Sequence, residues 1–170
     1  MTQTYFKDAL GVHNLHPRAD LVAVLDLTWQ RVAQPGEWLT GAQRVAVARC
    51  ARQAWHCTGC DTRKDSLSPY AADTEHTAAD DLNADWVELI HFTIRDSGRM
   101  TSRSVDTALA AGILEDEYVE IISVATMTQM IDAFSLGIGL PQVPLPEAVA
   151  GTPPRVRTEK VSPGPGWLPT

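Results

Sequence analysis

Basic clusters, long apolar runs and cysteines are scarce in this sequence of 170 residues, and each scarcity excludes something. Lys and Arg number 14 against 21 Asp and Glu, a formal net charge of −7. A phosphate backbone is held by a basic patch, so a nucleic-acid partner is not expected. The nearest thing to a cationic group, Arg49, Arg52, Arg63 and Lys64, surrounds a pair of cysteines and reads as local electrostatics. No run approaches the ~18 apolar residues of a bilayer span, so no membrane association is expected. The opening residues Met1 to Asp8 hold no apolar core of a secretory leader. With 3 cysteines, at least one stays outside any intramolecular pair, which does not suit a secreted disulfide framework. A cytoplasmic setting is the expectation. What is present, 44% apolar and 21% charged residues, suffices for one domain with a sizeable core.

Helical periodicity dominates, and no segment carries a strand period. Residues 1–17 show little pattern and read as an N-terminal arm ending at Pro17, with at most a short turn of helix. Over 18–34, Leu21, Val22, Val24, Leu25, Trp29 and Val32 fall largely on one stripe, and Pro35-Gly36 stops the helix. Thr40-Gly-Ala-Gln43 has capping-box spacing, and the helix it starts should run to about His56. Its Ala-rich face allows close packing. A further helical stretch is expected from Asp61 to about Leu67, then a polar loop over 71–81. Asn83 is a plausible cap for a helix to about Ser97. A short helix over 101–111 ends at Gly112. Glu115, Asp116 and Glu117 stand where a helix N-terminus favours acids. The apolar stretch that follows, 118–134, reads as a central buried helix or one buried in a subunit contact. Of the 11 prolines, 8 lie from Pro141 onward, so 141–170 reads as an extended arm, packed on a partner surface or mobile, beside a helical domain of 18–140. The fold class expected is all-α.

Cys57-Thr58-Gly59-Cys60 is the informative element. Two cysteines three apart can meet where the backbone turns; one thiolate attacks an oxidant and its neighbour resolves the product. A helix N-terminus at Cys60 would favour the thiolate, and His56, Arg63 and Lys64 would add positive charge. Half of a zinc site is an alternative, with His76 nearby but no second Cys pair. Plain burial as small hydrophobes is another. Cys50, two turns upstream, reads as core. Glu88 and His91 share a helix face; packed over the cysteines, His91 could take the thiol proton while Glu88 orients its ring. His56 is the alternative base. Glu88-x-x-His91 is also half of a di-iron motif, but no second copy exists, so no metal and no cofactor are expected. Trp86, Met127 and Met130 read as core more readily than as a pocket.

The Ala- and Val-rich helix leading into the Cys pair, with the later stretch Ala110 to Phe134, resembles the AhpD-like alkylhydroperoxidase, or carboxymuconolactone decarboxylase-like, family. The likeness covers roughly residues 35–140. It is closest to a branch of alkylhydroperoxidase-related proteins, some carrying selenocysteine. The resemblance implies an AhpD-like helical bundle and a peroxiredoxin-type antioxidant activity. Cys60 would attack the peroxide and become a sulfenic acid, and Cys57 would condense with it to a disulfide. It also implies a homo-oligomer, a hydroperoxide or disulfide substrate, and a protein or small-thiol reductant. The family's peroxidases place a Glu about a dozen residues before the first cysteine, where this chain has Gln43, Arg44 and Val45. They also place a His between the cysteines or a turn after the second, where Gly59 and Lys64 stand. A non-catalytic assembly subunit is therefore the alternative expectation, and Trp167-Leu-Pro-Thr170 resembles the approach to a second copy of the fold.

Overall fold

Thr40 starts the helix around which the others are arranged. Its hydroxyl accepts the Gln43 amide at 3.2 Å, and the Gln43 side chain accepts the Thr40 amide at 2.9 Å. The computed structural model describes residues 4–72, 74–77, 82–157, 161–162, 164 and 166–168. Within them lie α1 (Tyr5–Val12), α2 (Ala19–Ala33), α3 (Gly41–Ala54), α4 (Thr58–Asp65) and α5 (Ala84–Asp96). A 3-10 turn (Ser97–Arg99), α6 (Ser102–Ala110) and α7 (Glu115–Gly137) follow. No strand occurs among the described residues. The chain is all-helical, as its periodicity predicts.

α3, α5 and α7 pack on one another, and α2 lies across α3 and α7. Ala48, Ala51 and Ala54 make α3 narrow enough for this. Gly41 is needed at its start, because a Cβ there would collide with the carbonyls of Ala33 and Val149. Two ion pairs bind α3 to α7. Arg44 pairs with Glu120, whose second oxygen also accepts the Trp38 amide at 2.8 Å. Arg52 holds Asp132 through two nitrogens at 2.8 and 2.6 Å. α7 is long and apolar enough to cross a membrane by length and composition. Here it is a core helix, with Ile121, Val124, Ala125 and Ile131 buried.

Two segments differ from the sequence reading. Part of the expected N-terminal arm is helix α1, which buries Phe6 and Leu10 one turn apart. Its free N-terminal amides, Tyr5 and Phe6, donate to the buried Asp26 of α2 at 2.7 and 2.9 Å. A cap supplied from another helix leaves no local signal. Residues 141–157 carry no helix, as their prolines dictate, and they lie against their own domain. Pro144 accepts the Trp29 indole N–H at 2.8 Å, Val143 accepts Arg52 at 2.8 Å, and the Val149 amide donates to Ala33 at 2.8 Å. The expected loop 71–81 is non-helical where described; residues 73 and 78–81 lie outside the described set.

Candidate functional site

α3 ends at Ala54, and after a turn through Trp55 and His56 the chain restarts as α4 with Cys57 at its N-cap. Cys60 sits in the first turn of α4, so both sulfurs face the same side, 3.8 Å apart and without a disulfide. Each residue is only 1% exposed. α5 packs against α4 and brings His91, fully buried, to Cys60, with Nδ1 at 3.3 Å from Sγ.

The remaining partner comes from the polar loop. Residues 74–77 cross Gly59 so closely that a Cβ there would collide with the Glu75 carbonyl. That approach carries the His76 ring over both sulfurs, its Nδ1 at 3.4 Å from Cys57 and 3.6 Å from Cys60. Its far nitrogen, Nε2, lies 2.6 Å from a Glu88 oxygen. Arg63 also reaches Nε2, at 2.8 Å, but the shorter carboxylate contact, which can only accept, favours a proton on Nε2. Glu88 also pairs with Arg63 at 2.5 Å. The buried Arg63 guanidinium stacks on the Phe92 ring at 4.9 Å. A cleft of about 340 Å³ opens at this end, lined by Arg63, Thr74, Glu88 and Phe92 among others. The sulfurs do not line it.

Electrostatics make the two thiols unequal. Burial pushes the Cys57 thiol up, but the His76 contact and the Thr77 and Cys60 amides outweigh it and bring it down to about 7. Cys60 is pushed up to about 12 by burial and by the charge of Cys57, with Arg63 and Arg95 opposing. Burial lowers His76, yet its bonds to Glu88 and Cys57 leave it above the ordinary histidine value. His91 falls to about 4 through burial and the charge of His76. Glu88 is raised by burial but ends lowered, held by His76 and Arg63. Near neutrality about half of Cys57 is thiolate, with His76 shifted toward its imidazolium form beside it, and Cys60 is a thiol against a neutral His91.

Of the residues expected at the site, Cys57, Cys60, His91 and Glu88 come together. Glu88 orients His76, not His91, because the loop ring lies between them; the two imidazole centroids are 4.5 Å apart. His56 is exposed on the turn and is not among the side chains on either sulfur. Lys64 is likewise exposed. Cys50 is buried in the core, Trp86 and Met127 pack against it, and Met130 is largely exposed. The residue that sequence reasoning placed only in a half zinc site is His76. Its one signal in the sequence is Gly59, the small residue that the close crossing of the 74–77 loop requires.

Fold and site together define an all-helical protein with a buried dithiol clasped by two imidazoles. No family model matches the chain, and neither does a curated protein or a solved structure.

Proposed function

We propose that the protein is a thiol oxidoreductase that reduces a hydroperoxide, or exchanges a disulfide, through Cys57 and Cys60. One observation supports this above the others. An unbroken line of contacts runs from Cys60 through Cys57 and His76 to Glu88, at 3.8, 3.4 and 2.6 Å. It joins a nucleophile, a base and a group that orients the base. It also replaces the glutamate and histidine missing from the AhpD-like pattern, and we assign the chain to that family with an AhpD-like bundle.

The acidity order makes Cys57 the nucleophile and Cys60 the resolver, the reverse of what the resemblance implies. The Cys57 thiolate attacks one peroxide oxygen and the O–O bond breaks. The alkoxide leaves and takes the proton from His76 Nδ1, giving an alcohol and a sulfenic acid on Cys57. Loss of that thiolate charge removes one of the causes that raise Cys60. Cys60 then attacks the Cys57 sulfur, closing 3.8 Å to the ~2.05 Å of a disulfide, and the oxygen departs as water. The Cys60 proton passes to His91 Nδ1 or directly to the leaving oxygen. The sum is one hydroperoxide and two thiols converted to one alcohol, one water and one disulfide. A thiol reductant restores the dithiol.

Reduced, chelator-treated protein should lose two thiols for each hydrogen peroxide consumed. In Cys60→Ser, a sulfenic acid should be trapped on residue 57 by dimedone. Thiols that persist under excess peroxide would favour the assembly-subunit reading and overturn this one.

A further inference from the structure

The relay gives His91 only an optional share in moving the Cys60 proton. Cys57 needs one imidazole, and His76 provides it, yet a second imidazole stands at Cys60. His91 is completely buried, and its Nε2 meets no hydrogen-bond partner among the described residues. Its other nitrogen points at the place the sulfurs and His76 share. One donor atom from each of Cys57, Cys60, His76 and His91 lies within 4.8 Å of every other.

Four of the six donor separations fit a particular coordination geometry, and every pair lies within 4.8 Å. A tetrahedral Zn2+ with Zn–S of ~2.3 Å and Zn–N of ~2.0–2.1 Å sets its sulfurs ~3.8 Å apart and sulfur and nitrogen ~3.6 Å apart. Here the sulfurs are 3.8 Å apart, and the sulfur–nitrogen contacts are 3.4, 3.6 and 3.3 Å. Two thiolates and two neutral imidazoles favour zinc over harder cations, and two thiolate charges neutralise a divalent ion in a buried site. The outer shell is also in place. Nε2 of His76 donates to Glu88 at 2.6 Å, the carboxylate–histidine arrangement that fixes a metal-bound ring. Four protein donors close the coordination sphere and leave no position for substrate.

We propose that Cys57, Cys60, His76 and His91 bind a single Zn2+ ion while both cysteines are reduced. A second consequence rests on the oxidoreductase reading: the metal and the disulfide exclude each other. A hydroperoxide takes two electrons from the two metal-bound thiolates. The O–O bond breaks, the S–S bond forms, and two protons from solvent complete an alcohol and a water. Zn2+ leaves because its sulfur ligands have lost their charge. Oxidation of the dithiol thereby releases zinc.

Cobalt(II) titrated into the reduced, metal-free full chain provides the test. Saturation at one equivalent, with thiolate-to-cobalt charge-transfer bands and intense tetrahedral d–d bands, is expected, and excess Zn2+ should bleach them. Cys57→Ser should lose about half the charge-transfer intensity. His91→Cys, which keeps a soft donor in the buried position, should raise it about one and a half times. Glu88→Gln should weaken Zn2+ binding ~10–100-fold, as an outer-shell change does. A weak octahedral cobalt spectrum, or one that His91→Cys leaves unaltered, overturns the site. Peroxide added to the zinc-loaded chain should free one Zn2+ per disulfide. Tetrahedral cobalt without disulfide formation would sink the oxidoreductase reading and leave the metal site standing. Disulfide formation in a chain that shows no thiolate–cobalt bands would do the opposite.

Discussion

His76 stands between two charges, and its behaviour decides that of Cys57. The thiolate at Nδ1 and the Glu88 carboxylate at Nε2 both favour the imidazolium, and the imidazolium in turn favours the thiolate. A cysteine brought down to about 7 is half ionised near neutrality, where an ordinary thiol is almost wholly protonated. The sign is therefore definite: in metal-free protein the alkylation rate of Cys57 should rise with pH to a half-point near 7. His76→Ala should move that half-point up toward the ordinary thiol range and slow alkylation at pH 7 more than ~10-fold. Glu88→Gln should move it the same way by less, since the ring keeps its place at the sulfur. Identical pH profiles for wild type and His76→Ala would mean that the relay carries no charge. Residue 120 belongs to another part of the molecule. Glu120 satisfies Arg44 and the turn amides before α3 from a nearly buried position, so Glu120→Ala strands a buried cation. The expected loss is ~3–5 kcal/mol in urea unfolding, with little change in thiol chemistry.

Helices announce themselves in this sequence wherever cap and period are local. The Thr40 capping box, the Asn83 cap and the acidic start of α7 are legible because every partner lies within three residues. α1 reads from sequence as no more than a short turn, because its cap, Asp26, comes from α2. The dithiol and its α5 histidine were legible for a similar reason: CxxC spacing at a helix start is a local pattern, and Glu88 and His91 share a helical face. The His76 contribution was not, since it depends on a loop crossing another helix. Only Gly59 marks the crossing, and in sequence a glycine there signifies a turn as readily as a close approach. The element-scale prediction follows from that contact. Gly59→Ala keeps α4 helical and if anything favours it by propensity, yet its methyl must displace the 74–77 loop. Cys57 should then lose its acidity much as it does in His76→Ala, with near-wild-type helix content by circular dichroism. A Gly59→Ala chain with unchanged alkylation kinetics would show that the loop has another way to deliver the ring.

At the scale of the whole molecule, residues 141–157 complete the domain. They supply acceptors for the Trp29 indole and the Arg52 guanidinium, and Val143 is itself buried. Deleting everything after Leu140 leaves both donors short of a partner, at ~1–3 kcal/mol each. With ~2–4 °C lost per kcal/mol in a chain of this size, the melting temperature should fall by about 5–20 °C. A truncated chain that melts with the full one would make this stretch dispensable to the fold. Exposed apolar residues also lie on the helices. Leu21, Val24 and Leu27 on α2, with Val119 and Met130 on α7, remain open to solvent. They fit the homo-oligomer that the AhpD-like resemblance implies, and light scattering on the full chain and on Val24→Glu tests it: a shift to smaller species is expected. The burial of both sulfurs has a last consequence, for selectivity. On the proposed oxidoreductase reading, sulfurs of residues only 1% exposed should react faster with hydrogen peroxide than with a bulky organic hydroperoxide or another protein's disulfide. The protein should therefore discriminate oxidants by girth before it discriminates them by chemistry.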